Sequence, residues 1–503
     1  MTKPVVIVGA GIAGLTAAAF CAKNNLPVIV LEKSSKAGGL VQSIEREGYV
    51  FDLGIRAFEN AGILLPMLKS LGIETPFSHN PVSIGYGDHF IDFNSTSNLS
   101  DYGELLKKLF PEEAMNIDSI IREIAKITKI IEFVYKVDNP VFEEKMKSLK
   151  SLFKYLPWLV KYPRINKKIL KLQMPVNDFL RSYTNNESLI DMITQHFFTD
   201  TPTFFALSYF AMYPKYFYPK GSTLRLVNEI LTYLSKYNVH VAYNSEVLSL
   251  DTAKKEVYLE NKVIEYSDLI WAADQRILNQ SLSEFESIKD KDTTESVLSY
   301  SIASESDPSL YTHKIKAHSF YTPSKKGIRS IGAFPYKDIE KQEKWLRDFL
   351  QLTTYEISIP VLRDKSLAPK SSTGLIISTL FKYEIEQAFI TAHSIEKFKQ
   401  IVNEEIESVI SELFPTLLQH KKFSFLTSPV VINHYTANKN GAISGWVFDQ
   451  NNQRSFSDTL KAIHTPYDHL YICGQWSFQP AGLPVSILTG KFCVDEILKR
   501  RSK

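Results

Sequence analysis

Three glycines near the start of the chain have the spacing of a phosphate-binding turn. Residues 5–8 form a β-branched run, typical of a strand buried on both faces. Gly9, Gly11 and Gly14 follow it as G-x-G-x-x-G. Gly9 permits a tight turn, Gly11 lets the backbone approach a pyrophosphate, and Gly14 lets the next helix pack closely. Because a helix N-terminus offers free N–H groups to phosphates, the spacing predicts a dinucleotide site.

A carboxylate ends the second predicted strand of this unit. Residues 28–31 are apolar, and Glu32 follows 18 residues after Gly14. A carboxylate at this place can accept both ribose hydroxyls of an adenosine and disfavours a 2′-phosphate, so NADP is a poor fit. The cofactor contacts predicted in this strand–helix–strand unit are Gly9, Gly11, Ile12, Ala13, Gly14, Glu32 and Lys33.

The residues that follow distinguish FAD from NAD. An E-K-x-x-x-x-G-G element ends at Gly39, and an F-D-x-G element ends at Gly54. Together they resemble the FAD-binding start of the flavin amine oxidase and phytoene desaturase superfamily. The resemblance implies FAD as the cofactor, with a second loop that closes over its pyrophosphate. It also implies contacts from Gly38, Gly39, Asp52 and Gly54.

The chain departs from this family directly after the paired glycines. The family often has Arg at that position, whereas this chain has Leu40. Leu40 remains a predicted cofactor contact by its position. Arg56, two residues past Gly54, is the candidate that would replace the missing cation.

Blocks in the rest of the chain continue the resemblance to phytoene desaturases. They are Y-P-x-G-S, x-A-D, D-x-S-L-A-P, Y-T-x-N with G-A-x-x-G-W, and L-Y-x-x-G-x-W with P-x-G-x-P, within residues 218–222, 268–274, 364–369, 435–446 and 470–484. The D-x-S-L-A-P block is more specific than the glycine turn, because amine oxidases in general lack it. A final helix, from about residue 485 to 499, would point its first N–H groups at the flavin ring. The resemblance adds predicted FAD contacts at Val247, Ala273, Gly474, Gln475, Trp476, Gly482, Leu483 and Pro484.

The architecture implied is of the α/β class. A Rossmann-like FAD-binding domain is assembled from residues 1–85, 216–280 and 426–503. An α+β substrate domain, residues 86–215 and 281–425, is inserted between these pieces and carries a helical membrane-facing segment. No second G-x-G-x-x-G follows an apolar strand, so a separate NAD(P)H site of this type is not predicted.

The bulk properties narrow the class of partner and the compartment. A length of 503 residues favours two packed domains, and a net charge of +3 argues against nucleic acid as a partner. Three cysteines without a C-x-x-C pair suit a reducing cytoplasm, and no metal-ligand spacing is present. No apolar run is long enough to span a bilayer. We therefore expect a cytoplasmic protein that meets a membrane only at its surface.

One segment has the composition of such a membrane contact. Residues 145–171 contain nine basic residues and no acidic one, interleaved with Leu, Ile, Phe and Trp. An apolar face that enters the acyl boundary beside Lys and Arg at anionic headgroups is typical of monotopic binding. Pro157 and Pro163 are expected to break the helix into short pieces. The alternatives are a core helix with a solvated basic face, or a nucleic-acid patch.

The resemblance implies hydride transfer between a substrate C–H bond and flavin N5. The expected substrate is a lipophilic isoprenoid or polyene, with a quinone or oxygen as electron acceptor. Desaturation, saturation and isomerisation of a polyene remain open, as does an amine oxidase or porphyrinogen-type oxidase acting on a soluble substrate. No catalytic residue is assigned by motif. His434, before the Y-T-x-N block, and His196, in an aromatic run, are the acid–base candidates.

Overall fold

The computed structural model describes residues 3–59, 61–137, 139–142, 149–276, 278, 282, 291–448, 460–479 and 481–502. The strands are β1 Val5–Val8, β2 Val28–Leu31, β3 Ser43–Arg46, β4 Tyr49–Asp52, β5 Phe77–His79, β6 Val82–Tyr86, β7 His89–Phe93, β8 Phe217–Pro219, β9 Val241–Ala242, β10 Ser249–Asp251, β11 Glu256–Tyr258, β12 Val263–Glu265, β13 Asp268–Trp271, β14 Ser296–Ser304, β15 His318–Thr322, β16 Tyr355–Ser358, β17 Thr373–Phe381, β18 Lys421–Thr427 and β19 Leu470–Ile472. The helices are α1 Ile12–Lys23, α2 Leu64–Leu71, α3 Leu99–Leu109, α4 Ala114–Val134, α5 Leu149–Leu170, α6 Val176–Arg181, α7 Glu187–Thr194, α8 Thr203–Met212, α9 Leu224–Lys236, α10 Ile339–Leu352, α11 Tyr383–Ala392, α12 Ile395–Ile410, α13 Pro415–Gln419, α14 Pro429–Thr436 and α15 Leu483–Arg501.

A five-stranded parallel sheet has the order β19-β13-β1-β2-β9. Its two faces are covered by different layers. Val5 and Ile7 of β1 pack against α1, α9 and α15, whereas Val6 and Val8 pack against the small antiparallel sheet β10-β11-β12. A strand buried on both faces must be apolar at every position, and β1 is. The predicted Rossmann-like α/β class is thereby confirmed.

A seven-stranded mixed sheet has the order β18-β14-β17-β16-β15-β6-β7, with only β15 and β6 paired in parallel. One face packs its aliphatic and aromatic side chains against α10 and α12. The other face carries Ser299, Ser378 and Glu356, and it receives the guanidinium of Arg56. These polar side chains are tolerated on this face because each is hydrogen-bonded to Arg56.

A helical layer of α3, α4 and α6 to α8 packs beside β6 and β7. Helix α4 buries Ile117, Ile120, Ile124, Ile127 and Ile131, which recur every three or four residues and form one apolar face. Helix α4 therefore has a core face that is fixed by its own sequence pattern. The chain leaves this layer into α5 and returns to it at α6.

Helix α5 occupies most of the basic segment, whose residues 145–148 lie outside the described part of the chain. The prediction that Pro157 and Pro163 divide the segment is wrong, since α5 continues through both. Each proline removes one N–H donor, but contacts to α4 hold the helix, including the Trp158 indole N–H, which donates to the Val134 carbonyl at 3.3 Å. Among the described helices, none is long and apolar enough to cross a membrane.

Candidate functional site

The glycines of the first turn differ in what surrounds them. A side chain at Gly14 would collide with the carbonyl oxygen of Gly9, and Gly9 itself has φ +98°. Gly11, the N-cap of α1, has an ordinary φ of −71°, and a Cβ there would meet no atom within 4 Å. The protein's own packing therefore requires Gly9 and Gly14, whereas Gly11 only keeps space open at the N-terminus of α1. Such a space fits a pyrophosphate.

The second glycine pair lies directly beside this turn. The backbone N–H of Gly38 donates to the Ala10 carbonyl at 2.8 Å. A Cβ at Gly39 would stand 3.3 Å from the Cα of Gly11, and both glycines of the pair have positive φ. The structure thus brings together two loops that the sequence separates by more than twenty residues.

Glu32 stands at the end of β2, next to the turn. Its Oε2 accepts a hydrogen bond from Ala10 N at 2.8 Å, and its Oε1 accepts one from Ser34 N at 2.9 Å. The backbone of Ser245 donates to the Glu32 carbonyl at 2.9 Å, which brings the segment with Val247 to the same edge. A half-buried carboxylate held by backbone N–H groups is poised where an adenosine ribose would lie.

Two predicted contacts from later in the chain also reach the turn. A Cβ at Gly9 would stand 3.4 Å from the Cβ of Ala273, and one at Gly474 would stand 3.3 Å from the Cβ of Ala13. The N–H of Gly474 donates to the Thr489 hydroxyl of α15 at 3.0 Å. The exits of β13 and β19 therefore close around the N-terminus of α1.

The F-D-x-G element is engaged by the protein itself. Asp52 is buried and accepts hydrogen bonds from Tyr218 at 2.7 Å and from the hydroxyls of Thr223 at 2.8 Å and Ser43 at 2.7 Å. Its carboxylate ties β4 to the start of α9. A side chain at Gly54 would collide with the carbonyl oxygen of Leu40, which explains the glycine by packing alone.

Arg56 does not offer a free cation to the glycine turn. Its buried guanidinium donates to Glu356 at 3.1 Å and to Ser299 at 2.9 Å, and it also contacts Ser378. These partners lie on β14, β16 and β17. The predicted replacement of the missing cation is therefore not supported, because the seven-stranded sheet already occupies the side chain.

The blocks that carry the family resemblance meet in space. Arg363 lies over the Tyr218 ring, with its guanidinium carbon 4.0 Å from the ring centroid. Asp364 of the D-x-S-L-A-P block accepts a hydrogen bond from Gly221 N at 2.8 Å. The Trp476 indole donates to Asn438 at 3.2 Å, and Gln475 donates to the Ala442 carbonyl at 3.2 Å. Their joint occurrence in the sequence is explained by these contacts.

A cavity of about 930 Å³ opens beyond the start of α15. Gly482, Leu483 and Pro484 line one end of it, where Gly482 has φ +139° and α15 begins. Most of the remaining wall is apolar or aromatic, and it includes Ile131, Phe204, Phe205, Trp446, Phe448 and Phe478. An apolar chamber of this size can hold a hydrophobic ligand that is larger than a small amine.

Helix α5 forms part of the cavity wall. Trp158, Tyr162 and Ile169 face the chamber, with Trp158 and Tyr162 stacked at 4.4 Å between ring centroids. Leu159 lines the chamber too, yet 46% of its surface is exposed, which places it at a mouth. The basic segment therefore borders the cavity directly, a relation that the sequence pattern did not contain.

One carboxylic acid in the cavity wall was not predicted from the sequence. Glu59 accepts a hydrogen bond from the Tyr209 hydroxyl at 2.9 Å, and both residues line the cavity. Burial raises the pKa of Glu59, partly opposed by the Tyr209 hydrogen bond. In the sequence, Glu59 is marked only by its place directly after the run R-A-F, which matches no motif.

The two histidine candidates lie elsewhere. His196 is enclosed by Phe197, Phe320 and Tyr213, and burial lowers its pKa to about 3. His434 is exposed near the end of α14. Neither belongs to the described lining of the cavity, so neither stands where the chemistry is expected.

Comparison with known proteins agrees with this architecture. A model of a NAD(P)-binding Rossmann-like domain matches residues 7–71. A 1-hydroxycarotenoid 3,4-desaturase of Flavobacterium sp. (strain P99-3) is 21% identical over 98% of this chain and 99% of its own. A chloroplastic prolycopene isomerase of Daucus carota is 23% identical over 98% and 79%. An all-trans-retinol 13,14-reductase of Danio rerio is 21% identical over 93% and 82%.

Other likenesses are partial or concern the fold alone. The chain spans only 41% and 19% of the length of two further relatives. The solved structure of a putrescine oxidase bound to putrescine superposes with a TM-score of 0.62 at 14% identity, over 99% of this chain and 100% of that one. A putative protoporphyrinogen oxidase of Exiguobacterium sp. 255-15 gives 0.59 at 14% identity, over 99% of both chains.

The fold and the site define a protein built on a Rossmann-like dinucleotide-binding sheet. Relatives that match over nearly the whole chain then confirm the predicted resemblance to carotenoid desaturases.

Proposed function

We propose that this protein binds FAD and uses it to oxidise a C–C bond of a lipophilic polyene to a C=C bond. The observation that carries the proposal is the 930 Å³ apolar cavity, because it joins the start of α15 to the wall formed by α5. One end would hold the flavin ring and the rest would hold an extended hydrocarbon. We assign the seven-stranded sheet and the helical layer to an inserted substrate domain.

The glycine turn supports FAD as the cofactor. Gly11 leaves open space at the N-terminus of α1, and Glu32 stands where an adenosine ribose is held. When bound, FAD would supply a two-electron acceptor at its N5 atom. The chain itself would bind the pyrophosphate with backbone N–H groups, orient the polyene along the cavity and exclude water from the reacting carbons.

The surface of α5 supports substrate entry from a membrane. Leu156, Leu159 and Val160 are exposed large apolar residues, with 68% of Val160 accessible. The exposed basic residues nearby on this helix and just after it are Lys161, Arg164, Lys167, Lys168 and Lys171. Apolar side chains flanked by cations fit an anionic bilayer surface. The helix that would rest on the lipid is also the wall of the cavity, so a polyene would enter without crossing water.

The direction of the reaction is proposed as desaturation, with a quinone or oxygen as the final electron acceptor. The names of the full-length relatives also include an isomerase and a reductase, and the same cavity could serve either. An amine oxidase on a soluble substrate is less favoured, because it would need neither the apolar chamber nor the exposed face of α5.

The decisive experiment mixes FAD-loaded protein with polyenes in anionic vesicles under anaerobic conditions. We expect the oxidised-flavin absorbance to bleach while the polyene spectrum moves to longer wavelength, since conjugation is extended. Bleaching by amines but not by polyenes would contradict the proposal. Chemically reduced protein that saturates or isomerises the polyene, with no forward reaction, would reassign the direction.

A further inference from the structure

Glu59 lies in the wall of the cavity beside a backbone pairing with β8. The preceding residue, Phe58, exchanges backbone hydrogen bonds with Phe217 at 2.9 and 3.0 Å, which fixes the segment against β8. The Tyr209 hydroxyl then donates to Oε1 of Glu59 at 2.9 Å. Within the described part of the chain, Oε2 has no hydrogen-bond partner, so one carboxylate oxygen is available to the cavity.

The surroundings of Glu59 are apolar and aromatic. Tyr209 packs edge-on against Phe205 at 5.4 Å between ring centroids, and Phe205 also lines the chamber. Ile55, four residues before Glu59, lines the same cavity as Gly482 and Leu483. Glu59 and the start of α15 therefore border one continuous space, which an extended substrate could span.

We propose that Glu59 is the catalytic residue that accepts the substrate proton, with Tyr209 as its positioning residue. The inference rests on the proposed function. In the desaturating direction, FAD, when bound, would supply the acceptor for the hydrogen and both electrons of one C–H bond. The adjacent C–H bond gives its proton to Oε2 of Glu59, and the electrons of that bond form the new C=C bond. Glu59 returns the proton to water after the product leaves.

The electrostatic setting suits a base that works above the usual carboxyl range. Burial raises the pKa of Glu59, and the hydrogen bond from Tyr209 lowers it. Tyr135, at the end of α4, interacts electrostatically with Glu59, as do Tyr213 and Tyr216. The other ionisable groups that line the cavity among the described residues are Tyr162, Asp200, Lys291 and Asp292.

The test is the pH profile of polyene oxidation by FAD-loaded protein with Glu59→Gln. Glu59 must be ionised to accept a proton, so the wild-type kcat should rise with pH through its raised pKa. The variant should lose this limb and about a hundredfold in kcat, while its affinity for the polyene changes by less than roughly threefold. A variant that keeps both the rate and the limb overturns the inference.

Two further variants separate catalysis from structure. Tyr209→Phe removes the bond that lowers the pKa of Glu59, so the rising limb should move to higher pH. Glu386→Gln is the matched control, because Glu386 is a buried carboxyl with a raised pKa that does not line the cavity. The limb should stay unchanged in this control. A limb that moves with Glu386 but not with Tyr209 also overturns the inference.

A readout without turnover completes the design. Infrared titration of protein labelled with ¹³C-glutamate should show carboxyl intensity that titrates above the usual range. Glu59→Gln should remove one part of it and Glu386→Gln another. If wild-type protein oxidises no polyene at all, the proposed function fails. If it oxidises polyenes while the carboxyl intensity and the pH limb are indifferent to Glu59, only this inference fails.

Discussion

The glycine turn and the cavity are built in opposite ways. Residues 9–14 form one short segment, and its contacts come from backbone atoms and from the absence of side chains. The cavity wall is drawn from segments as distant as Ile55 and Leu488, and its contacts come from side chains. A site made of backbone depends on a few glycines, whereas a site made of side chains depends on packing throughout the fold.

The largest expected effect is a loss of vesicle binding when the basic residues on the outer face of α5 are replaced. Replacing Lys161, Arg164, Lys167 and Lys168 with Gln should weaken binding to anionic vesicles roughly a thousandfold, since each charge near such a surface contributes about 1 kcal/mol. Vesicle sedimentation measures the effect. The matched control replaces the exposed Lys254, Lys262, Lys325 and Lys326. Equal losses in both variants would mean that net charge, rather than α5, drives binding.

The glycine turn can be tested by contrasting its two kinds of glycine. Gly11→Val should raise the Kd for FAD about a hundredfold, because its side chain fills the space meant for the pyrophosphate. Its melting temperature without FAD should match the wild type, because a Cβ there meets nothing. Flavin fluorescence and circular dichroism measure the two quantities.

Gly14→Ala is the counterpart of Gly11→Val. It should lower the melting temperature itself, because the new Cβ collides with the Gly9 carbonyl. If Gly11→Val unfolded the protein and Gly14→Ala did not, then Gly11 rather than Gly14 would be the glycine that the protein's own packing requires.

The cavity should respond more mildly to a change within its wall. Asn166→Trp adds bulk on the face of α5 that lines the chamber, so kcat/KM for a polyene should fall about tenfold through poorer fit. FAD affinity should not change. Met115→Trp, at an exposed position of α4 that does not line the chamber, is the control and should retain its kcat/KM.

The smallest effect on activity is expected at His196, which belongs to the core rather than to the cavity. Burial lowers its pKa to about 3, so the unfolded chain binds the proton first as pH falls. Stability from this group is complete above the unfolded pKa of about 6.5 and should fall by about 2 kcal/mol by pH 5. Urea unfolding of His196→Gln should show a flatter pH dependence with kcat retained. A large loss of kcat at neutral pH would restore His196 as a catalytic candidate.

Much of the nucleotide-binding half could be predicted because its signals are local. The strand, the three glycines and Glu32 specify one continuous unit, and the structure places them as neighbours. The paired glycines and the D-x-S-L-A-P block could also be recognised in the sequence, although the residues that they contact could not. That Asp364 meets Gly221, or that Asp52 meets Tyr218, follows from the fold and not from spacing.

The part of the cavity wall that contains Glu59 could not be predicted in the same way. Glu59 matches no motif. Its pKa is raised by burial, which exists only in the folded chain, and is lowered in part by the hydrogen bond from Tyr209 of α8. His196 and His434 were named for their residue type alone. The structure places the first in an aromatic core and the second at the surface. Residue type predicts chemical capacity, but burial and neighbours decide whether that capacity is used.

The amino-acid sequence by itself determined the class of this protein. The glycine turn, Glu32 at the end of β2 and the blocks shared with phytoene desaturases can be recognised from residue type and short spacing. Both are properties of a continuous chain. Only the tertiary structure decided that the basic helix α5 is also a cavity wall and that Glu59 lines the same cavity as the start of α15. It also decided that Arg56 is hydrogen-bonded to the seven-stranded sheet. Desolvation, side-chain pairing and cavity shape arise between distant segments, so they exist only once the chain has folded.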